Sequence, residues 1–243
     1  MNKKIYIIAN WKMNPQTEDE ARDLIEGIVL TARSVDKERV GVIILPPFIW
    51  LGIAKNILSR HPGIFALGAQ NVFWQDAGAY TGEISVSMLK NLGCQYVLIG
   101  HSEREMYLKE NKEMFEKKLK LVLEKGLIPI LCLHPKDVNN LPGELNPIIQ
   151  GLDQELIKKI IFLYEPTEAI STQGGSIPSK DKIIQFKKSL NQILGEDITI
   201  LYGGSVNSQN VKEFTTDIGL DGALVGAKSL DIEDFSAIIR QFI

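Results

Sequence analysis

The chain has 243 residues, of which 44% are hydrophobic and 23% charged, so it can bury a sizeable core as one large globular unit. Its formal net charge of -3 argues against a protein that binds nucleic acid or lies on an acidic membrane surface. Two cysteines, Cys94 and Cys132, are too few for a disulfide scaffold, which is typical of a cytoplasmic protein. The apolar run at Ile5–Ala9 is too short for a secretion signal or a membrane span.

Short apolar runs rich in β-branched residues recur along the chain. Most of them lack polar alternation, as expected for strands that are covered on both faces of a parallel sheet. The eight predicted strands are Ile5–Ala9, Val40–Leu45, Phe65–Ala69, Tyr96–Ile99, Ile128–Leu133, Ile160–Tyr164, Thr199–Tyr202 and Gly222–Val225.

Helical patterns lie between these runs. One of them carries Phe115, Leu119 and Val122 on a single face, and the two longest are followed by Gly126 and Gly195 as C-caps. Helices are predicted over Thr17–Thr31, Ile49–Ser59, Ser85–Asn91, Glu110–Lys125, Ser179–Leu194 and Asp234–Phe242. In residues 133–153, Pro, Asn and Gly are expected to interrupt any helix.

Eight strands alternating with helices predict an α/β fold, a (β/α)8 barrel with eight parallel strands in one domain spanning residues 1–243. A doubly wound sheet is the alternative. It normally has a Gly-rich turn after the first strand, and "ANWKMN" contains no glycine. The barrel is therefore the favoured architecture.

Polar and small residues follow several of the predicted strands. In a (β/α)8 barrel the active site forms at the C-terminal ends of the strands, so these residues are candidates for one site. Each residue also has an ordinary structural explanation: the lysine could be solvated, the histidine structural, the glutamate ion-paired, and the glycines part of tight turns. Because such features occur at five strand ends on the same side of the barrel, a shared site is favoured. The candidates are Asn10, Lys12, His101, Ser102, Glu103, Glu165, Gly203, Gly204, Ser205, Gly226 and Ala227.

A carboxylate that faces an imidazole suits the removal of a proton next to a carbonyl group. Glu165 would take the carbon-bound proton, while His101 and Lys12 would stabilise the charge that builds on oxygen. Small-residue turns after the last two strands suit a phosphate group, because backbone N–H groups can approach it closely there. No His, Asp or Glu grouping in the sequence has ligand spacing, so no metal is expected.

The segments "ANWKMN", "GAQN", "GAYTGEIS", "GHSER", "YEP", "YGGSV" and "DGALVG" resemble the triosephosphate isomerase family in order and spacing, over nearly the whole chain. The resemblance implies a TIM barrel that interconverts dihydroxyacetone phosphate and D-glyceraldehyde 3-phosphate through an enediolate, in glycolysis and gluconeogenesis, without a cofactor. It implies that Glu165 is the base opposite a neutral His101, with Lys12 as the electrostatic clamp and Asn10 as a hydrogen-bond donor.

The same resemblance implies supporting residues and a partner subunit. Glu103 would support Lys12, Ser102 would line the pocket, and the phosphate would be held by Ser171, Ser205, Gly203, Gly204, Gly226 and Ala227. The family is typically a homodimer in which the loop Gln70–Gly82 docks into the partner, so Phe73, Trp74 and Thr81 are candidate interface residues. The alternative for the two aromatic residues is packing against their own barrel.

The chain departs from the family pattern mainly around the lid. In place of the usual Pro-x-Trp hinge of the lid, this chain has Pro166-Thr167-Glu168. The tip of the lid has the sequence Ser171-Thr172-Gln173-Gly174-Gly175. These changes are expected to weaken the grip on phosphate and lower kcat/KM without changing the type of reaction. The remaining departures are Glu105 in place of the second arginine of "HSERR", His134-Pro135 in place of Gly-Glu, and Ala227 in place of a glycine.

Two other functions stay open at this point. One is isomerisation of a related, longer sugar phosphate under the altered lid. The other is a non-catalytic barrel derived from the family, although the presence of Lys12, His101 and Glu165 argues against it.

Overall fold

The predicted (β/α)8 barrel is confirmed by the computed structural model, which describes residues 4–33, 35–166 and 178–243. Its strands are parallel and pair in chain order, and β1 closes the barrel by pairing with both β2 and β8. The strands are β1 Ile5–Asn10, β2 Val40–Leu45, β3 Phe65–Ala69, β4 Tyr96–Ile99, β5 Ile128–Leu133, β6 Ile161–Tyr164, β7 Thr199–Gly204 and β8 Gly222–Val225.

Both faces of each strand are buried. In β1, Ile7 packs into the layer between strands and helices while Ile8 packs into the barrel interior, and in β6 the neighbours Phe162 and Leu163 divide in the same way. Successive side chains point to opposite faces of a strand, so two buried faces require an unbroken apolar run. This is why the strands lack polar alternation in the sequence.

The helices pack around the outside of the barrel. All six predicted helices are present, with ends that differ from the prediction by at most three residues. They and three further helices are α1 Glu18–Ala32, α2 Leu51–Leu58, α3 Val86–Leu92, α4 Ser102–Leu108, α5 Lys112–Glu124, α6 Leu141–Ile149, α7 Gln154–Ile157, α8 Lys180–Leu194 and α9 Ile232–Ile239. Among the described residues, none of the helices has the length and apolar character needed to cross a membrane.

The expectation that residues 133–153 form no helix is wrong, because this segment contains α6. Pro142 lies in its first turn, where a missing N–H is tolerated. Pro147 lies inside the helix and cannot donate to the carbonyl of Gly143, but the Lys112 ammonium donates to that carbonyl at 3.2 Å. The partner that replaces the lost bond comes from α5, so local sequence could not reveal it.

Barrel closure depends on a close backbone approach at Gly222. This residue pairs with Tyr6 of β1 and has φ +148°, and a Cβ atom there would lie 1.9 Å from the Tyr6 carbonyl oxygen. Only glycine fits, because any side chain would push β8 away from β1. These two strands carry candidate residues of the site at their C-terminal ends.

Candidate active site

A cavity of about 250 Å³ opens at the C-terminal ends of the strands. The loops after β1, β4, β6, β7 and β8 all contribute to its wall. The predicted residues that line it are Lys12, His101, Glu165, Gly204, Ser205, Gly226 and Ala227. Gly203 lies one residue deeper in β7, where a Cβ atom would come within 3.2 Å of Leu163, and it does not line the cavity.

His101 caps the N-terminus of α4 and is 5% exposed. Its Nδ1 accepts a hydrogen bond from the backbone N–H of Glu103 at 3.2 Å, so the lone pair rather than a proton must lie on Nδ1. The ring is therefore held as the neutral tautomer that carries its proton on Nε2. That nitrogen lies 3.2 Å from Oε1 of Glu165 and faces the cavity.

Glu165 is held from two sides and is 7% exposed. Its backbone N–H donates to the carbonyl of Leu133 at the end of β5, over 2.8 Å. Its Oε2 accepts from the backbone N–H of Ser102, the first residue of α4, at 3.1 Å. The carboxylate is thus aimed by backbone groups of two secondary structure elements. The nearby thiol of Cys132 stays neutral, because burial, reinforced by the charge of Glu165, raises its pKa well above the usual value.

Lys12 has an unusual backbone conformation, with φ +53° in a non-glycine residue. Its N–H donates to Oδ1 of Asn10 at 3.1 Å, and its carbonyl accepts from Nε2 of Gln70 at 2.8 Å. The second proton of the same Gln70 nitrogen is directed at the carbonyl of Leu45, also at 2.8 Å. The Lys12 ammonium contacts the carboxylate of Glu103, so the pairing expected from the resemblance is present in the structure.

The small residues line the cavity at the ends of β7 and β8, next to Lys12. Gly204 ends β7, Ser205 follows it, and Gly226 with Ala227 follows β8. Lys228 also lines this wall and forms an ion pair with Asp234 of α9 at 2.6 Å.

Sequence reasoning missed several residues of the site region, among them Val206, Asn207 and Leu224 on the cavity wall, and also Gln70 and Lys228. Gln70 lies inside the quoted "GAQN" segment. Its hydrogen bonds to the carbonyls of Lys12 and Leu45 form only because β2 and β3 are adjacent in the barrel, which the sequence alone does not state. Lys228 directly follows the predicted pair Gly226 and Ala227, so its position next to a predicted phosphate turn was an available signal. Ser171 and the lid residues 167–175 lie outside the described residues.

The predicted interface loop folds partly onto itself. Phe73 is 9% exposed, and its ring centroid lies 4.1 Å from that of Trp74 and 4.7 Å from that of Tyr80. Phe73 therefore packs against two rings of its own loop, and Thr81 is exposed. Packing of the two aromatic residues against the barrel and docking into a partner both stay predictions.

A closed (β/α)8 barrel with a carboxylate, a neutral imidazole and an ammonium at one cavity defines an enzyme of the acid–base type. The family model for triosephosphate isomerase matches residues 5–242. Proteins named triosephosphate isomerase from Dictyoglomus turgidum, Dehalococcoides mccartyi and Trichodesmium erythraeum are 42%, 41% and 38% identical to this chain. The alignments cover 99%, 98% and 98% of this chain and 100%, 96% and 99% of those proteins. The chain belongs to the triosephosphate isomerase family.

Proposed function

We propose that this chain interconverts dihydroxyacetone phosphate and D-glyceraldehyde 3-phosphate by proton transfer between adjacent carbons. The observation that carries the proposal is the placement of Glu165 and His101 within 3.2 Å of each other at the cavity that Lys12 also lines. A base, a neutral hydrogen-bond donor and a cation at one cavity are the groups that enolisation of a carbonyl compound requires.

The proposed reaction begins when the Glu165 carboxylate removes a proton from C1 of dihydroxyacetone phosphate. The electron pair of that C–H bond forms the C1–C2 double bond, and the carbonyl pair moves to the C2 oxygen. His101 stabilises this oxygen through Nε2–H, together with the Lys12 ammonium and the Asn10 amide. The protonated Glu165 then returns the proton to C2 with the electron pair of the C1–C2 double bond, and the proton of O1 passes to the C2 oxygen through Nε2 of His101, so that O1 becomes the aldehyde oxygen and O2 a hydroxyl. No atom or electron is gained, so the scheme includes no cofactor.

The phosphate group is proposed to occupy the wall formed by the ends of β7 and β8. Backbone N–H groups of Gly204, Ser205, Gly226 and Ala227 would hold it, with Ser171 as a further part of the site. The cavity of about 250 Å³ supports a small substrate.

The decisive experiment measures turnover of a substrate panel by the purified chain. Coupled assays would compare both triose phosphates with four-carbon aldose phosphates, and deuterium incorporation from D2O would report the proton transfer. We expect the triose phosphates to give the highest kcat/KM. Faster turnover of a four-carbon substrate would favour the longer-sugar alternative, and no turnover of any substrate would favour the non-catalytic barrel.

The proposal includes a homodimer. A second depression, of about 310 Å³, lies beside the site and is bordered by Asn10, Lys12 and Gln70. Met13 and Tyr107 also border it and are 83% and 62% exposed, so apolar surface surrounds a recess that a partner's loop 70–82 could fill.

The dimer can be tested through Thr81, which is exposed on that loop. Thr81→Arg should give monomers in sedimentation experiments, because the charged side chain blocks insertion but leaves the loop's own packing intact. Glu196→Arg, at the opposite end of the barrel, is the control. A wild-type protein that sediments as a monomer with full turnover would contradict this part of the proposal.

A cytoplasmic location completes the proposal. Cys94 and Cys132 are both free and buried, which supports a reducing compartment.

A further inference from the structure

Two departures from the family pattern meet in the structure. Glu105 stands where the family usually has the second arginine of "HSERR", and His134 precedes Pro135 where the family usually has Gly-Glu. They are 29 residues apart in sequence, yet Oε2 of Glu105 is hydrogen-bonded to Nε2 of His134. The usual pattern has a cation at position 105 and an anion at position 135, whereas this chain has an anion at position 105 and an ionisable imidazole one residue earlier, at position 134.

This pair joins the two elements that hold Glu165. Glu105 belongs to α4, whose first residue, Ser102, donates its N–H to the Glu165 carboxylate. His134 directly follows Leu133, whose carbonyl accepts the Glu165 N–H. A bond between Glu105 and His134 therefore fixes the distance between the two anchors of the proposed base.

The loop at His134 is held from a second side as well. Its backbone N–H donates to Oε1 of Glu144 in α6 at 3.1 Å. The His134 side chain is 15% exposed, and its Nδ1 is buried with no partner among the described residues. The imidazole therefore has Glu105 as its side-chain partner within the described part of the chain.

We propose that Glu105 and His134 are positioning residues for Glu165, and that they hold it best while His134 carries a positive charge. The proposal rests on the proposed role of Glu165 as the catalytic base. Two neutral or like-charged groups at these positions would leave α4 and the end of β5 without this electrostatic link.

The surrounding charges support a protonated His134. Burial alone would lower its pKa, but the hydrogen bond and charge of Glu105, with the charges of Glu144 and Glu165, outweigh burial and raise the pKa above 6.5. The hydrogen bond from His134 lowers the pKa of Glu105, and the charges of Lys112 and Lys136 act in the same direction. The contribution of the ion pair to stability is therefore complete between about pH 4.5 and pH 6.5; it is lost as the pH rises through the raised pKa of folded His134, and as the pH falls through the lowered pKa of folded Glu105.

The chain has three histidines, His61, His101 and His134, so their ring signals can be titrated by NMR. The His134 signal is assigned by its absence in His134→Asn. We expect a midpoint above 6.5 in the wild type and a lower midpoint in Glu105→Gln, which keeps the shape of the side chain but removes its charge. Glu113→Gln, which breaks the exposed ion pair with Lys117 on α5, is the matched control and should leave the midpoint unchanged.

Kinetics on triose phosphate then test positioning. In the wild type, kcat should fall by roughly threefold to tenfold as the pH rises through the His134 midpoint, because loosened anchors displace the base and a shift of about 1 Å can cost 10²-fold. In Glu105→Gln, which lacks the charged link at every pH, kcat should already be lowered below the midpoint and the pH-dependent decline should be lost, while KM changes little. An active wild type whose kcat profile is unchanged in Glu105→Gln, or a His134 midpoint at or below 6.5, would overturn the proposal. An inactive wild type would instead overturn the proposed function itself, and the positioning role with it.

Discussion

The replacement of Glu165 by glutamine or aspartate separates the chemistry of this carboxylate from its reach. In the structure, both carboxylate oxygens face donors: Oε1 faces Nε2–H of His101, and Oε2 accepts from the Ser102 N–H. A glutamine amide has one oxygen and one NH₂ group, so in either orientation its NH₂ faces one of the two donors. His101 cannot relieve this by changing tautomer, because its Nδ1 already accepts from the Glu103 N–H.

The expected magnitude follows from these contacts. Loss of a general base lowers kcat by about 10²–10⁴-fold, which corresponds to about 3–5 kcal/mol of activation free energy. The unpaired buried donor also lowers the free energy of unfolding by about 1–3 kcal/mol. Glu165→Asp keeps a base but withdraws it by about 1 Å, so we expect a loss of about 10²-fold in kcat with little change in KM.

The assay measures kcat and KM for both variants in the two directions, together with hydrogen exchange between substrate and solvent. Urea unfolding of each variant reports whether the lost activity reflects lost folding. If Glu165→Gln kept more than about a tenth of the wild-type kcat, another group would be the base. If Glu165→Asp were as impaired as Glu165→Gln, reach would matter as much as the base itself.

Three further changes test the surroundings of the site. Gln70→Glu replaces a nitrogen that donates to two carbonyls with an oxygen that repels them, so urea unfolding should show a loss of about 2–3 kcal/mol, and kcat should fall as the Lys12 loop shifts. Lys228→Ala removes a cation from the cavity wall, so KM should rise several-fold and depend less on salt while kcat is unchanged; an unaltered salt dependence would contradict this. Gly222→Ala should prevent folding or cost more than about 4 kcal/mol by urea unfolding, whereas Gly52→Ala, with no atom near its Cβ position, should be neutral or stabilising by about 0.4–1 kcal/mol.

The strands and most helices were predictable because their signals are local. Burial on both faces produces the apolar runs of the strands, and side chains that cap the helix start, such as Thr17 with Glu20 at α1, mark where a helix begins. Helix α6 was missed because Pro147 breaks helices by local rules, while its compensation by Lys112 is a tertiary contact.

The candidate site divides in the same way. The rule that active sites form at the C-terminal ends of barrel strands selected residues that the structure brings to one cavity, because parallel strands all end on the same side. Side chains that aim or support these residues follow no such rule. The bonds of Gln70 and the contact between Glu105 and His134 depend on which strands and helices become neighbours, which a single sequence does not state.

The order of strands in the barrel also solves an electrostatic problem for the proposed reaction. The protein has a net charge of -3, and its proposed base is an anion that must work close to an anionic substrate. In a closed ring of eight strands, β4 and β8 are opposite each other, so His101 after β4 faces the small-residue turn after β8 across the cavity. Glu165 follows β6, the strand that pairs with β7, so its carboxylate lies close to the proposed phosphate wall and the repulsion must be offset by nearby cations. The cation Lys228 lies on that wall, and Lys12, which follows β1 next to β8, lies beside it. These two ammonium groups attract the substrate phosphate locally, although the net charge of the protein does not. A substrate that spans this cavity must present its reacting carbons to Glu165 while its phosphate reaches the ends of β7 and β8, which favours a short chain.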